Sequence, residues 1–243
     1  MTDRRVLAVT GEDRTEFLQG LVTNDVRRAA EGPVYAALLT PQGKFIADFF
    51  VLAEGDRLLI DVAASAAETL LQRLTLYRLR AKVAIEQTDL VVSRGTGPAP
   101  EGAYTDPRPG MGWRAYGETD LSDDTDWNAL RVAHMVPETG VELTPDSYIL
   151  EMGFERLNGV DFRKGCFVGQ EIVARMKHKT ELRKGLARVR IDGAVTAGAG
   201  IEADGKDAGT LHRIAGDEGL AYLRFDRAEG PMQAGAATLT RIG

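Results

Sequence analysis

The chain has 243 residues, a formal net charge of −6, 44% hydrophobic and 27% charged residues, ordinary globular usage that excludes a disordered tail protein and a collagen-like one. Its longest apolar stretch, 58–67, contains Asp61 and Ser65 and falls short of the roughly 20 residues of a membrane span, so no membrane partner is expected. One cysteine, Cys166, excludes an internal disulfide framework. The N-terminus runs from Met-Thr-Asp-Arg-Arg straight into Val6–Val9 with no signal core or Arg/Ser leader, which points to the cytoplasm.

Residues 6–10 are apolar and β-branched, a strand. Asp13 is placed to cap a helix over 14–21, with Phe17, Leu18 and Leu21 on one face. Strands follow at 35–40 and 45–53, joined by the Pro41-Gln42-Gly43-Lys44 turn; the second carries Asp48 in its middle. A strand at 58–62 leads into a helix over 63–79, with Leu70, Leu71, Leu74 and Leu79 periodic, and strands follow at 82–87 and 90–93. This alternation with short turns points to an α+β or α/β fold. Residues 94–114 hold four of the nine prolines and five glycines and read as loop, or as loop with short strands. Residues 118–126 carry five acids and no base, a solvated acidic loop, and 127–134 form a helix. From 186 onward, short β-branched runs separated by glycines suggest a small barrel or sandwich.

Chemistry concentrates in residues 163–184, which hold seven Lys or Arg against two Glu. Gly165, Cys166, Gly169, Gln170 and Glu171 fall in one short turn there. Nearby cations lower a thiol's pKa and raise its thiolate fraction, although a lone cysteine is more often buried and inert. Asp48 is costly to bury in an apolar strand without a partner or task; the alternative is an edge position facing solvent. His134, His178 and His212 have no metal-binding spacing, so no metal site is expected.

Lys164-Gly165-Cys166-Phe167-Val168-Gly169-Gln170-Glu171 resembles the K-G-C-[FY]-x-G-Q-E signature of the YgfZ-type folate-binding proteins, relatives of the glycine cleavage T-protein (aminomethyltransferase). Gly11 to Asp25, the strand from Gly43 to Leu52, Asp106-Pro107-Arg108 with Gly112 and Arg114, and Leu157 to Val160 resemble the family in the same order. The resemblance implies a three-domain T-protein-like α+β fold around a central folate cleft, with a small C-terminal β-barrel. The implied domains are 1–44 with 128–184, 45–127, and 185–243. Tetrahydrofolate or a one-carbon derivative is the implied cofactor. Asp48 would lie at the folate N5/N10 edge, Glu151 would grip the pterin by accepting two N–H bonds, and Asn24 would add an amide contact or simply end a helix. Tyr77, Arg78 and Arg80 would meet the folate's glutamate tail or lie on the surface.

The implied function is support for assembly or repair of iron–sulfur enzymes, including the cluster-dependent methylthiolation of tRNA. Cys166 and Asp48 would be the reactive groups, and iron–sulfur client or assembly proteins the partners. Whether that amounts to catalysis is left open. The alternative is a folate-dependent aminomethyltransferase or other one-carbon transferase, with Asp48 central and Cys166 dispensable. An RNA-binding module using the 163–184 face is a third reading. The net charge of −6 and the lack of an aromatic platform argue against it.

Overall fold

The computed structural model describes residues 3–179 and 181–242. Its first unit is an antiparallel five-stranded sheet in the order β2-β3-β4-β1-β5. The strands are β1 (Arg4–Thr10), β2 (Val34–Leu39), β3 (Phe45–Glu54), β4 (Arg57–Ala63) and β5 (Ala84–Gln87). Helices α1 (Arg14–Gln19) and α2 (Ala64–Tyr77) cover one face.

Side chains alternate across a strand, and here both faces are apolar because both are covered. Leu7, Val9, Val34, Ala36, Leu38, Phe49, Val51, Ile60 and Val62 pack against the helices. On the other face, Val6, Ala8, Leu52 and Leu59 meet Val92 of a second sheet, while Tyr35, Ala37, Leu39 and Phe50 meet the segment around residues 136–173. Asp48 pairs with Ala37 across the β2–β3 ladder and shares the parity of Phe50. The pleat therefore points it into the molecule, and it is buried.

The second sheet, β6-β8-β7, consists of β6 (Val91–Gly95), β7 (Tyr104–Thr105) and β8 (Trp113–Gly117). Residues 94–114 are thus loop with short strands: β7 lies within them, β6 ends there and β8 begins there. Helix α3 (Trp127–His134) matches its expected span. A long irregular stretch leads to α4 (Gln170–Lys179). The C-terminal part is a closed barrel in the order β10-β11-β12-β9-β14-β13. Its strands are β9 (Lys184–Asp192), β10 (Gly200–Ala203), β11 (Lys206–Ala215), β12 (Glu218–Arg224), β13 (Met232–Ala234) and β14 (Ala237–Arg241). The barrel has its own core of Val189, Leu211, Leu223, Leu239 and neighbours.

Three local expectations are corrected. No boundary falls between 44 and 45, because β2 and β3 form a hydrogen-bonded hairpin across that point. Asp13 does not cap α1; its carboxylate accepts instead from the Lys82 N–H at 2.7 Å, tying the helix start to the approach to β5. The acidic segment is more than solvated loop. Asp123 accepts from the N–H groups of Thr96 and Gly97 at 2.9 and 2.8 Å, and Asp126 caps α3 through the Ala129 N–H.

Candidate functional site

Asp48 faces a small, partly open cavity. Its carboxylate accepts from the Tyr35 hydroxyl at 3.0 Å and from the Thr139 hydroxyl. Burial first, then the Asp48 charge, pushes the Tyr35 phenol well above its ordinary range, so Tyr35 stays a donor. Arg4, Arg108, Arg131, Ser65 and Glu138 are among the other lining residues, and the volume is about 100 Å³. That suits a few waters; ligand pockets run from about 300 Å³ upward. The neighbouring space is filled by Tyr35, stacked on Phe154 at 5.0 Å and tilted against Phe50 at 5.2 Å, with the Arg108 guanidinium 5.2 Å from the Tyr35 ring. In this packing the residues do not fit a folate. A pteridine would require Tyr35 and Arg108 to withdraw.

Behind the cavity lies a buried charge network. Asp61 on β4 accepts from Arg4 at 2.6 Å, from Arg114 at 2.5 Å and from the Tyr116 hydroxyl at 3.2 Å. Asp106 accepts from Arg108 at 2.8 Å and Arg114 at 3.1 Å. The guanidiniums of Arg114, Arg108 and Arg4 stand 3.9, 4.8 and 5.6 Å from the Phe50 ring centre. Burial alone would raise Asp106, but Arg108 and Arg114 outweigh it and hold the carboxyl at about 2. Asp61 is likewise held low by Arg114 and Arg4 against its burial. Arg131 donates to the Pro137 carbonyl at 3.0 Å and to Glu138 at 3.2 Å; burial, then Arg108, lowers it to about 10. Glu138 and Glu142 are also bound by Arg213 of β11, so the irregular segment that brings Thr139 to Asp48 is clamped from α3 and from the barrel.

The second focus is the loop before α4. Cys166 is exposed, but its neighbours hold the loop down. Lys164 is 8% exposed and Phe167 7%. The Lys164 ammonium donates to the carbonyls of Gln19 and Val22, and its own carbonyl accepts from the Gln19 amide at 3.3 Å. Burial lowers Lys164 to about 8. Gly165 has φ 98°, a conformation that glycine supplies without steric cost. At Gly169, also left-handed, a Cβ would stand 2.7 Å from the Thr40 carbonyl oxygen, so glycine lets the loop seat on the β2–β3 turn. Gln170 accepts from the Phe167 N–H at 3.3 Å, and Glu171 lies exposed in the first turn of α4. The signature residues thus build a pinned loop that displays one thiol. Thr180, within the basic segment 163–184, lies outside the described residues.

The remaining candidates are not gathered at Asp48. Both Asn24 amide protons are taken, by the carbonyls of Tyr35 at 2.8 Å and Asn158 at 2.7 Å, and its oxygen accepts from the Asp25 N–H. Asn24 is a stitch between chain segments. Glu151 accepts from the Tyr222 hydroxyl at 2.7 Å, and its carbonyl accepts from the Leu186 N–H; it joins the irregular stretch to the barrel and is not among the cavity-lining residues. Tyr77 and Arg78 sit at the far end of α2. The start of that helix touches the cavity through Ala63 and Ser65, and its 14 residues carry the other end about 20 Å away. The sequence reading missed Arg4, Arg131, Glu138 and Thr139, whose only signal is long-range packing. Among the described residues no three His, Cys, Asp or Glu are placed to hold a metal ion, and no helix is long and apolar enough to cross a membrane.

The architecture is that of the glycine cleavage T-protein. The crystal structure of the glycine cleavage system aminomethyltransferase T from Bartonella henselae superposes with a TM-score of 0.76, covering 99% of this chain and 82% of that one, at 11% identity. Residues 183–242 match the family described as CAF17, C-terminal beta-barrel domain. The human protein named iron-sulfur cluster assembly factor IBA57, mitochondrial, is 31% identical over 96% of this chain and 79% of its own length. The chain belongs to the IBA57 family. The Mus musculus protein of that name is 30% identical over 94% of this chain, and a Coccidioides immitis homologue is 27% identical over all of it. IBA57-family membership accounts for the T-protein-like body and the barrel; the T-protein likeness itself concerns the fold alone.

Proposed function

We propose that this chain is an iron–sulfur cluster assembly factor of the YgfZ type that works through Cys166. One observation carries the reading: the sole cysteine is exposed on a loop whose flanking residues, Lys164 and Phe167, are both buried. A packed structural thiol would be inside; this one is held out rigidly. Supporting it, the relatives at 30% and 31% identity are named iron-sulfur cluster assembly factors. An iron–sulfur cluster is typically held by four thiolates, so a single cysteine supplies at most one ligand. A cluster handled here is therefore shared with a partner protein, and release follows when an acceptor supplies the missing thiolates. Client enzymes of the tRNA-methylthiolating kind fit this scheme, as does the cytoplasm as its site.

The test is cluster transfer to an apo client enzyme, followed by the client's visible absorbance and activity, with wild-type protein and with Cys166→Ala. Loss of stimulation by Cys166→Ala supports the reading, and full retention overturns it.

Tetrahydrofolate binding is a second reading: the Asp48 carboxylate turns into a small polar cavity, which would take a pteridine only after Tyr35 and Arg108 withdraw. It is tested by calorimetric titration of wild type and Asp48→Ala with tetrahydrofolate. Saturable binding lost in the variant supports it; no binding by the wild type overturns it, and with it the one-carbon transferase alternative.

A further inference from the structure

The C-terminal end of α2 carries an apolar surface that no other part of the described chain covers. Leu76 is 66% exposed and Leu79 89%, while Leu70 and Leu74 on the opposite side of the helix are fully buried. Leu76 and Leu79 line a shallow groove with Glu68, Leu71, Gln72, Thr75 and Arg78. Leu79 breaks two local rules at once. Its φ is 45°, the left-handed conformation after a helix end that favours glycine, and its side chain stands in water. Glycine would relieve the backbone and remove exposed apolar surface, so folding stability supplies no reason for leucine here; such violations mark functional positions.

The charge around this surface is mainly cationic: Glu68, the one carboxylate lining the groove, is hydrogen-bonded by the Gln72 amide. Arg73, Arg78 and Arg80 are exposed, and among the described residues none of them is in an ion pair; the next cation, Lys82, is paired with Glu12. The buried arginines at Asp61 and Asp106, by contrast, are closely paired. Three free guanidiniums beside two protruding leucines form a surface complementary to acidic groups around an apolar ridge.

We propose that this end of α2 docks a partner protein through an acidic segment bearing apolar side chains. Two leucines on a helix whose other face is locked in the core offer too little apolar area to anchor a bilayer, where even one full acyl chain binds marginally. A single-stranded nucleic acid would need stacking platforms, and Tyr77, the nearest aromatic residue in the chain, is partly buried against the core. The surface lies at the opposite end of α2 from the Asp48 cavity, and the proposal does not depend on the role of Cys166.

The test replaces Leu76 with benzoylphenylalanine and irradiates living cells producing the full chain. The expected result is one dominant protein adduct whose cross-linked peptide is acidic and apolar. Its yield should fall about tenfold, roughly 1.4 kcal/mol of binding, on adding Leu79→Gly, and again on adding Arg78→Glu with Arg80→Glu. Leu79→Gly alone should unfold at the same or a higher temperature than wild type. Adducts with nucleic acid, lipid or a second copy of this chain, absence of a dominant adduct, or a yield unmoved by Leu79→Gly would each overturn the proposal. A lower unfolding temperature for Leu79→Gly would also overturn it, because the leucine would then be structural.

Discussion

Around Phe50 three guanidiniums are buried, and each meets a carboxylate: Arg4 and Arg114 at Asp61, Arg108 and Arg114 at Asp106. At the Cys166 loop the one buried cation, Lys164, meets only the carbonyl oxygens of Gln19 and Val22. The first arrangement leaves its carboxyls low and Arg108 and Arg114 high; the second leaves its ammonium lowered to about 8 by burial. The difference separates two uses of buried charge. Paired ions fix how the first sheet, carrying Arg4 and Asp61, meets the second, carrying Arg114. The lone ammonium shapes one loop, with little electrostatic return, so that the next residue but one can be held in solvent.

Breaking the paired network should have the largest effect. Arg114→Ala leaves Asp61 and Asp106 short of a partner in the interior, and removing one member of a buried pair costs about 3–5 kcal/mol. Urea unfolding should show that loss, and a change below about 1 kcal/mol would mean the network is dispensable. Acid probes the same region. Asp106 titrates at about 2 in the folded chain against an ordinary 3.8. A depressed carboxyl contributes its stability fully above the unfolded value and loses it as pH falls through the folded one. Roughly 2–3 kcal/mol should therefore disappear between pH 4 and pH 2. Asp106→Asn should flatten that part of the stability–pH curve.

Much of this frame was legible in the chain. Alternation and periodicity located β2, β3, β4, α2 and α3 to within a residue or two, because each is specified by its own spacing. The burial of Asp48 follows from its parity with Phe50 once the strand is known. What was not legible is pairing over distance. Asp61 finds Arg114 at a separation of 53 residues, and Glu151 finds Tyr222 at 71; no local pattern encodes either. Nor does any local pattern tell how far Tyr77 and Arg78 stand from Asp48; they lie at the end of α2 away from that cavity. The eight residues from Lys164 to Glu171 form a more local unit: anchor, left-handed turn, display, seat and closure.

The loop side of the comparison is sharpened by Lys164→Met, which keeps the stem's bulk and removes the donor. Two buried carbonyls then lose their charged partner, at about 1–2 kcal/mol. Hydrogen exchange should speed up at the Phe167 and Gln170 amides while the amides of β3 stay protected. Equal acceleration in β3 would show that the loop and the sheet open as one unit.

Cys166→Ser should move stability least. The thiol is exposed, and a substitution at such a site ordinarily stays within about 0.5 kcal/mol. The anchors on either side of it, Lys164 and Phe167, are untouched, so the loop keeps its shape. Any loss in cluster transfer by this variant then belongs to the sulfur and not to the fold, whereas Lys164→Met keeps the sulfur and loosens its presentation. Measuring both in the same transfer assay separates the two contributions. If Lys164→Met retains full transfer while Cys166→Ser has none, the thiol suffices without a rigid loop, and the buried ammonium serves the fold alone.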